Sequence, residues 1–256
     1  FVPLKGVSME DCAELAQSLA QRVGEECAVP TFAYGYAALH QEKNLLSTIR
    51  KGQYEGLKAR LSGGETPHSE HTRLPDFGPS EWSAEAEKSG AITIGARGIL
   101  VAYNVNIGEP DAKVAKKIGS LVRSTGRLIK QNDGRKMRVP GMLTMVQGMG
   151  VSLEAHGISQ VSMNLRDVAQ CPMHVAFEAC KSIASDHDTS TPGSELVGLI
   201  PLEAMLESGR WYAADGVTNE HELVEAAIRG LGLDSLGSFD PNERIIEWAL
   251  EKAVSE

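Results

Sequence analysis

The chain has 256 residues and a formal net charge of −9; 42% of its residues are hydrophobic, 23% charged and 5% aromatic. That length buries a substantial core in one large domain or two smaller ones, with the composition of an ordinary soluble globular protein. The acidic balance and scarcity of rings argue against nucleic acid as a partner, and no apolar run approaches the ~18 residues of a membrane helix.

Val2 to Leu4 reads as the tail of a strand. Ser8 caps a helix with Glu10 and Asp11 in its first turn, where acids suit the positive helix end. Cys12, Leu15, Ala16, Leu19 and Val23 recur at helical spacing and predict its buried face. Val29 to Tyr34, aromatic and β-branched, predicts a strand, and a short helix follows over Leu45 to Arg50. Ser62 to Ser80 holds Pro67, Pro75 and Pro79 and reads as a long loop, of a length that is functional or disordered in compact proteins. Ala91 to Ile107 contains two strand-like runs divided at Arg97-Gly98. In the second run Asn104 and Asn106 stand two apart and therefore share a strand face.

A helix from about Pro110 carries Val114, Ile118, Leu121 and Val122 as its apolar stripe. Ile158 to Leu165 is the next strand, with Ser162 and Asn164 on a common face. Helices are predicted near Pro172 to Ala184, Leu202 to Ser208, Asn219 to Gly230 and Pro241 to Ala253, with a short buried strand at Leu196 to Ile200. Interleaved strands and helices give an α/β (α+β) fold class.

Between Lys113 and Arg138 stand nine cations and one acid, Asp133, followed by Pro140-Gly-Met-Leu-Thr-Met-Val-Gln-Gly-Met-Gly150. Two readings stay open. The run is either a solvated helix face with a tight turn, or an anion-attracting surface on an acidic protein. In the second reading Gly141, Gly148 and Gly150 let backbone approach a flat or charged ligand. Asn104, Asn106, Ser162 and Asn164, with Gln147 as a further amide, either hydrogen-bond a heterocycle or cap neighbouring loops. There is no G-x-S-x-G, Walker A or H-E-x-x-H motif, and Gly148-x-Gly150 lacks the third glycine of a dinucleotide fingerprint. Asp186-His187-Asp188 is three consecutive side chains, which converge poorly on one ion, so a surface turn and no metal are expected. Cys12, Cys27, Cys171 and Cys180 show no C-x-x-C pair or zinc spacing, which points to reduced thiols in a cytoplasmic protein. His68 and His71, just before Pro75-Asp-Phe-Gly-Pro-Ser80, are the histidines to consider near a site.

Taken together, several segments resemble glutamate formiminotransferase, the folate-dependent domain found alone in bacteria and fused to a cyclodeaminase in animals. They are Phe1-Val-Pro-Leu-Lys-Gly-Val-Ser-Met-Glu-Asp-Cys12, Pro75-Asp-Phe-Gly-Pro-Ser80, Gly95-Ala-Arg97 and Ala102-Tyr-Asn-Val-Asn106. Val146-Gln-Gly-Met-Gly150, Gln160-Val-Ser-Met-Asn-Leu165 and Gly193-Ser-Glu-Leu-Val-Gly-Leu-Ile-Pro201 continue the match in order. The resemblance implies two similar subdomains, the remainder of an N-terminal one over 1–98 and a C-terminal one over 99–256. Each has mixed sheets covered by helices, with a folate tunnel between them. It implies transfer of a formimino group from N-formimino-L-glutamate to tetrahydrofolate, a co-substrate, by a homodimer without metal.

The family's folate-contacting stretches fall on Gly78 to Gly90, including Pro79 and Ser80, and on Gly141 to Gly150. The first departs from the family in its longer, more acidic Glu81 to Ser89. Arg123 and Arg127 are the expected receivers of folate's glutamate tail or of the carboxylates of formiminoglutamate. The family's catalytic histidine lies in a Gly-Glu-His-Pro-Arg motif upstream of the segment that opens this chain. The expectation is therefore a fragment, or a chain whose partner supplies that part, with no cyclodeaminase attached. A non-catalytic folate- or anion-binding chain is the alternative.

Overall fold

The computed structural model describes residues 1–4 and 6–255, in two compact units: Phe1–Ile99, and the chain from Leu100 onward. The first unit opens with α1 (Met9–Glu26), whose N-cap Ser8 accepts from the Asp11 N–H while Asp11 accepts from the Ser8 N–H, each at 3.0 Å. The bonds from Ser8 hold the Asp11 carboxyl below its ordinary range. Its buried face is Cys12, Ala16, Ala20 and Gly24, whereas Leu15 and Leu19 are exposed, which corrects the expected stripe. The reason is steric. α1 packs on β1 (Thr31–Gly35) and β2 (Ile92–Ala96), and a Cβ on Gly24 would lie 2.7 Å from the Gly78 nitrogen. Small residues four apart admit that approach, and leucines would not.

β1 and β2 pair in parallel, from Thr31 opposite Ile92 to Gly35 opposite Ala96. On the other edge of β2 the Phe1 ammonium donates to the Gly95 carbonyl (2.6 Å) and the Arg97 N–H donates to the Phe1 carbonyl (3.0 Å). Residues 2–4 form no strand. Between β1 and β2 run α2 (Leu46–Ile49), α3 (Leu57–Leu61), α4 (Glu70–Arg73) and α5 (Ala84–Ser89). The expected long loop thus contains α4, started by a capping box between Ser69 and Thr72.

A charged cluster fastens this segment beneath β1. Lys43 Nζ lies 2.7 Å from Asp76 Oδ1, with both side chains 2% exposed, and Asp76 Oδ2 accepts from the Ala33 N–H. The Phe32 ring has Arg60 4.0 Å from its centroid and Lys43 at 5.5 Å. Arg60 also donates to the carbonyls of Ile49, Thr72 and Arg73. Burial pulls its pKa down to about 10, opposed by the Asp76 charge.

In the second unit β3 (Val101–Ile107) is followed by α6 (Lys113–Val122), the hairpin β4 (Arg127–Lys130) and β5 (Lys136–Val139), then β6 (Val146–Leu153) and β7 (Ile158–Leu165). After them come α7 (Met173–Ser185), β8 (Ser194–Val197), α8 (Leu202–Tyr212), α9 (Glu220–Leu231), α10 (Pro241–Arg244) and α11 (Ile246–Ser255). The expected last helix is broken at Ile245, which turns extended and bridges to Ile200. The order β6-β7-β3-β8 makes one antiparallel sheet, so the chain combines parallel and antiparallel pairing with covering helices in an α/β fold. Val101, Tyr103, Val105, Val161, Met163, Leu165 and Leu196 face the core with Ile118, Val122, Met173, Phe177 and Cys180 from α6 and α7.

Two outcomes are expected. Asp76→Asn leaves the Lys43 ammonium buried without its partner and lowers stability by about 3–5 kcal/mol, read from urea unfolding. Cys27 is exposed, whereas Cys12, Cys171 and Cys180 are buried, and burial pushes the last two thiols up to about 11 and about 12. Iodoacetamide at pH 7.5 should therefore label Cys27 alone in the native protein and all four thiols in denaturant.

Candidate functional site

The sheet of the second unit has one apolar and one polar face, because its strands alternate. Register places Asn104 opposite both Ser162 and Glu195, Asn106 opposite Gln160, and Asn164 opposite both Ala102 and Gln147. Residues directly opposite share a face, so Asn104, Asn106, Ser162, Asn164 and Gln147 stand together on three neighbouring strands. Gln160 and Glu195 join them, and Met149, Val151 and Val197 complete the surface. Spacing alone placed the two pairs separately. Gln160 has the parity of Ser162 and Asn164, which is a readable signal, but Glu195 is 91 residues from Asn104 and needed the pairing itself.

These side chains form a connected network. Glu195 Oε2 accepts from Asn104 Nδ2 at 3.1 Å and from Gln160 Nε2 at 3.0 Å. Gln160 Nε2 also donates to Asn106 Oδ1 at 2.8 Å, and Asn106 Nδ2 donates to Ser235 Oγ at 2.9 Å. Asn106 is fully buried and Gln160 nearly so, whereas Asn104, Ser162, Asn164 and Glu195 are half-buried and Gln147 is exposed. The network is therefore buried at its middle, at Asn106 and Gln160, and reaches the surface at Ser235 and at the half-buried Asn104 and Glu195. Such a surface offers a ligand both amide donors and a carboxylate acceptor.

The glycines have a different role from the one expected. Gly148 and Gly150 point to the opposite face, against α6. A Cβ on Gly150 would collide with the Lys116 nitrogen, and one on Gly119 of α6 would lie 2.9 Å from the Met149 carbonyl carbon. Gly141 runs beside the end of α6, where a Cβ would meet the Arg123 carbonyl. The Met142 and Leu143 N–H groups next to it satisfy the Leu121 and Val122 carbonyls. The room these glycines leave is filled by protein rather than open to a ligand. In the first unit Gly78 (φ +78°) fits against Val29 and Gly24, Pro79 and Ser80 follow it, and Gly90 (φ +69°) ends α5 beside Tyr54.

The basic run is also more structured than a helix face and a turn. Arg123 closes α6, with Nε donating to the Gly126 carbonyl at 2.8 Å. Arg127 begins an exposed hairpin in which Lys130, Lys136 and Arg138 share a face with Leu128, and Arg127 shares the other with Ile129, Met137 and Val139. The Asp133-Gly134 turn was the missed signal. His68 Nε2 lies 2.9 Å from the Lys51 carbonyl, its Nδ1 is buried without a partner, and burial lowers its pKa. His71 stacks on His40 at 4.9 Å. Among the described residues no His, Cys, Asp and Glu group could hold a metal ion, and Asp186-His187-Asp188 ends α7. No helix among them is long and apolar enough to cross a membrane.

Gln160→Met is expected to remove donors from Glu195 and Asn106 at once and to lower stability by about 1–3 kcal/mol, measured by urea unfolding.

Residues 102–251 match the family described as formiminotransferase domain, and residues 1–97 match its N-terminal subdomain. Over 100% of its length the chain is 38% identical to formimidoyltransferase-cyclodeaminase of Mus musculus and covers 44% of that protein. It is 34% identical, over 88% of its length, to glutamate formimidoyltransferase of Thermoplasma acidophilum, covering 67% of it. A protein of the same name from Streptococcus pyogenes is 31% identical over 83% of the chain, which covers 63% of that relative. The chain thus spans less than half the length of the animal relatives it matches.

Proposed function

This chain belongs to the formiminotransferase family, and from that premise we propose that it transfers the formimino group of N-formimino-L-glutamate to N5 of tetrahydrofolate. The observation that carries the reading is the row of amides and one carboxylate across four strands, Gln147, Asn164, Asn104, Gln160 and Glu195. Alternating donors and acceptors on a rigid sheet suit the hydrogen-bonding edge of a pterin or an amidine.

In that reaction N5 attacks the amidine carbon, and the C=N π pair moves onto nitrogen as the N5–C bond forms. N5 passes its proton to a base. The tetrahedral intermediate then breaks its bond to the glutamate nitrogen, which takes a proton and leaves as the amine. The residues of this chain bind and orient the two substrates, and holding reactants in line contributes up to ~7–11 kcal/mol to the barrier. The base is not assigned to any of them. His68, neutral near pH 7, has one ring nitrogen held at the Lys51 carbonyl and the other buried.

The hairpin cations suit the carboxylates of a polyglutamate tail, since an Arg fork matches a carboxylate. Of the two arginines singled out above, Arg127 is exposed on β4, whereas Arg123 already uses its Nε at Gly126. Arg127→Ala is expected to raise the apparent KM for polyglutamylated tetrahydrofolate several-fold and to leave the monoglutamate form nearly unchanged. Equal changes for both remove the tail-binding role. Calorimetry of the chain with tetrahydrofolate tests the reading as a whole, and it fails if no reduced pterin gives a binding heat. Binding without transfer marks the chain as a folate-binding module, or as half of a two-chain transferase if an added partner restores turnover.

A further inference from the structure

We propose that Glu195 recognises a protonated formamidine, so that this chain separates an amidine donor from a formyl donor by charge. The inference rests on the function proposed above and names the group that selects the donor. Both amides that address Glu195, from Asn104 and Gln160, bond the same oxygen, Oε2. Oε1 takes no hydrogen bond among the described residues and is not among the buried atoms that lack a partner, so it reaches solvent. One oxygen is thus fixed and the other is presented.

The carboxylate is also uncompensated. Among the described residues no Lys, Arg or His is ion-paired with it, and the side chains that bond it are the amides of Asn104 and Gln160. A half-buried carboxylate bonded only by neutral amides gains most from a ligand that brings a positive charge with N–H donors. That requirement discriminates between the ligand parts in view. The pterin ring is neutral at pH 7, and the tails and α-carboxylates are anionic. The formamidine group is a strong base and therefore cationic, with N–H bonds directed outward in a plane that matches a carboxylate. A formyl amide has the same shape at its reacting carbon without the charge. An uncharged formyl amide offers a single N–H and no charge in exchange for the water it displaces from Oε1, so it compensates Glu195 less than the amidinium does.

The test compares binding of N-formimino-L-glutamate with that of N-formyl-L-glutamate by calorimetry, in the parent chain and in Glu195→Gln, with tetrahydrofolate titrated into both. The parent is expected to prefer the formimino compound, and Glu195→Gln to weaken that binding by about 10- to 100-fold while changing the formyl compound less than about 3-fold. Glu195→Asp keeps the charge and is expected to retain most of the preference, which separates loss of recognition from loss of fold. If Glu195→Gln binds tetrahydrofolate and still prefers the formimino compound, the inference is overturned while the proposed function stands. If the parent binds neither tetrahydrofolate nor either glutamate derivative, both fall together.

Discussion

A carboxylate only accepts hydrogen bonds, and that fact orders the polar face of the four-stranded sheet. Because Glu195 offers no proton, Asn104 and Gln160 must turn their NH₂ groups toward it. The second N–H of Gln160 then falls on Asn106 Oδ1, which sends the Asn106 NH₂ to Ser235, whose hydroxyl donates to the Ser194 carbonyl. Three amides that could each be flipped are set in one sense by a single acceptor. Their donors and acceptors are thereby oriented before any ligand arrives, from Glu195 through the buried Gln160 and Asn106 to Ser235 at the surface.

That arrangement depends in turn on register. Each strand alternates core and polar residues, so a slip of one position would bury Asn104 and expose Tyr103 or Val105. The other face resists such a slip because its packing is close and shaped. Gly148 and Gly150 admit α6 so nearly that a methyl at Gly150 would strike the helix backbone, and Gly119 makes the matching concession on α6. The backbone around Gln147 and Met149 is therefore held from behind by a helix at contact distance. Gly24 and Gly78 make the same kind of contact in the first unit, where Lys43, Asp76, Arg60 and Phe32 tie the segment between β1 and β2 beneath the first strand.

How far all this is legible in the sequence follows from which physical rule is local. A period of two is local, so Asn104 with Asn106 and Ser162 with Asn164 are readable from spacing, as is the Ser8 cap of α1. Strand adjacency is not local, and Glu195 becomes a site residue only when β8 pairs with β3. Leu15 and Leu19 mislead because hydrophobicity is a weaker criterion than size where a helix approaches a sheet closely, and the true seam is alanine and glycine. The hairpin escapes notice because its cations mask a short alternation, Met137 and Val139 in β5 on one face with Ile129 of β4. The glycines of Gly141 to Gly150 read as places where backbone can come close to a ligand, but sequence cannot say whether the approaching body is a ligand or the protein's own helix, which fills that room here.

The second unit carries two charged features of opposite sign, and they act over different ranges. The hairpin cations Lys130, Lys136 and Arg138 are exposed. Their field is screened within about 8–10 Å at physiological salt, so any anionic ligand they attract is held loosely. Glu195 is half-buried and has no ion pair among the described residues, one of its oxygens is fixed by two amides, and its interaction is made at contact in a medium less polarisable than water. A substrate bearing carboxylates at one end and an amidinium at the other satisfies both features, whereas a ligand of one sign satisfies only one. Salt should weaken the first contribution far more than the second. The net charge of −9 opposes anionic ligands at long range, and the hairpin cations are a local exception to it.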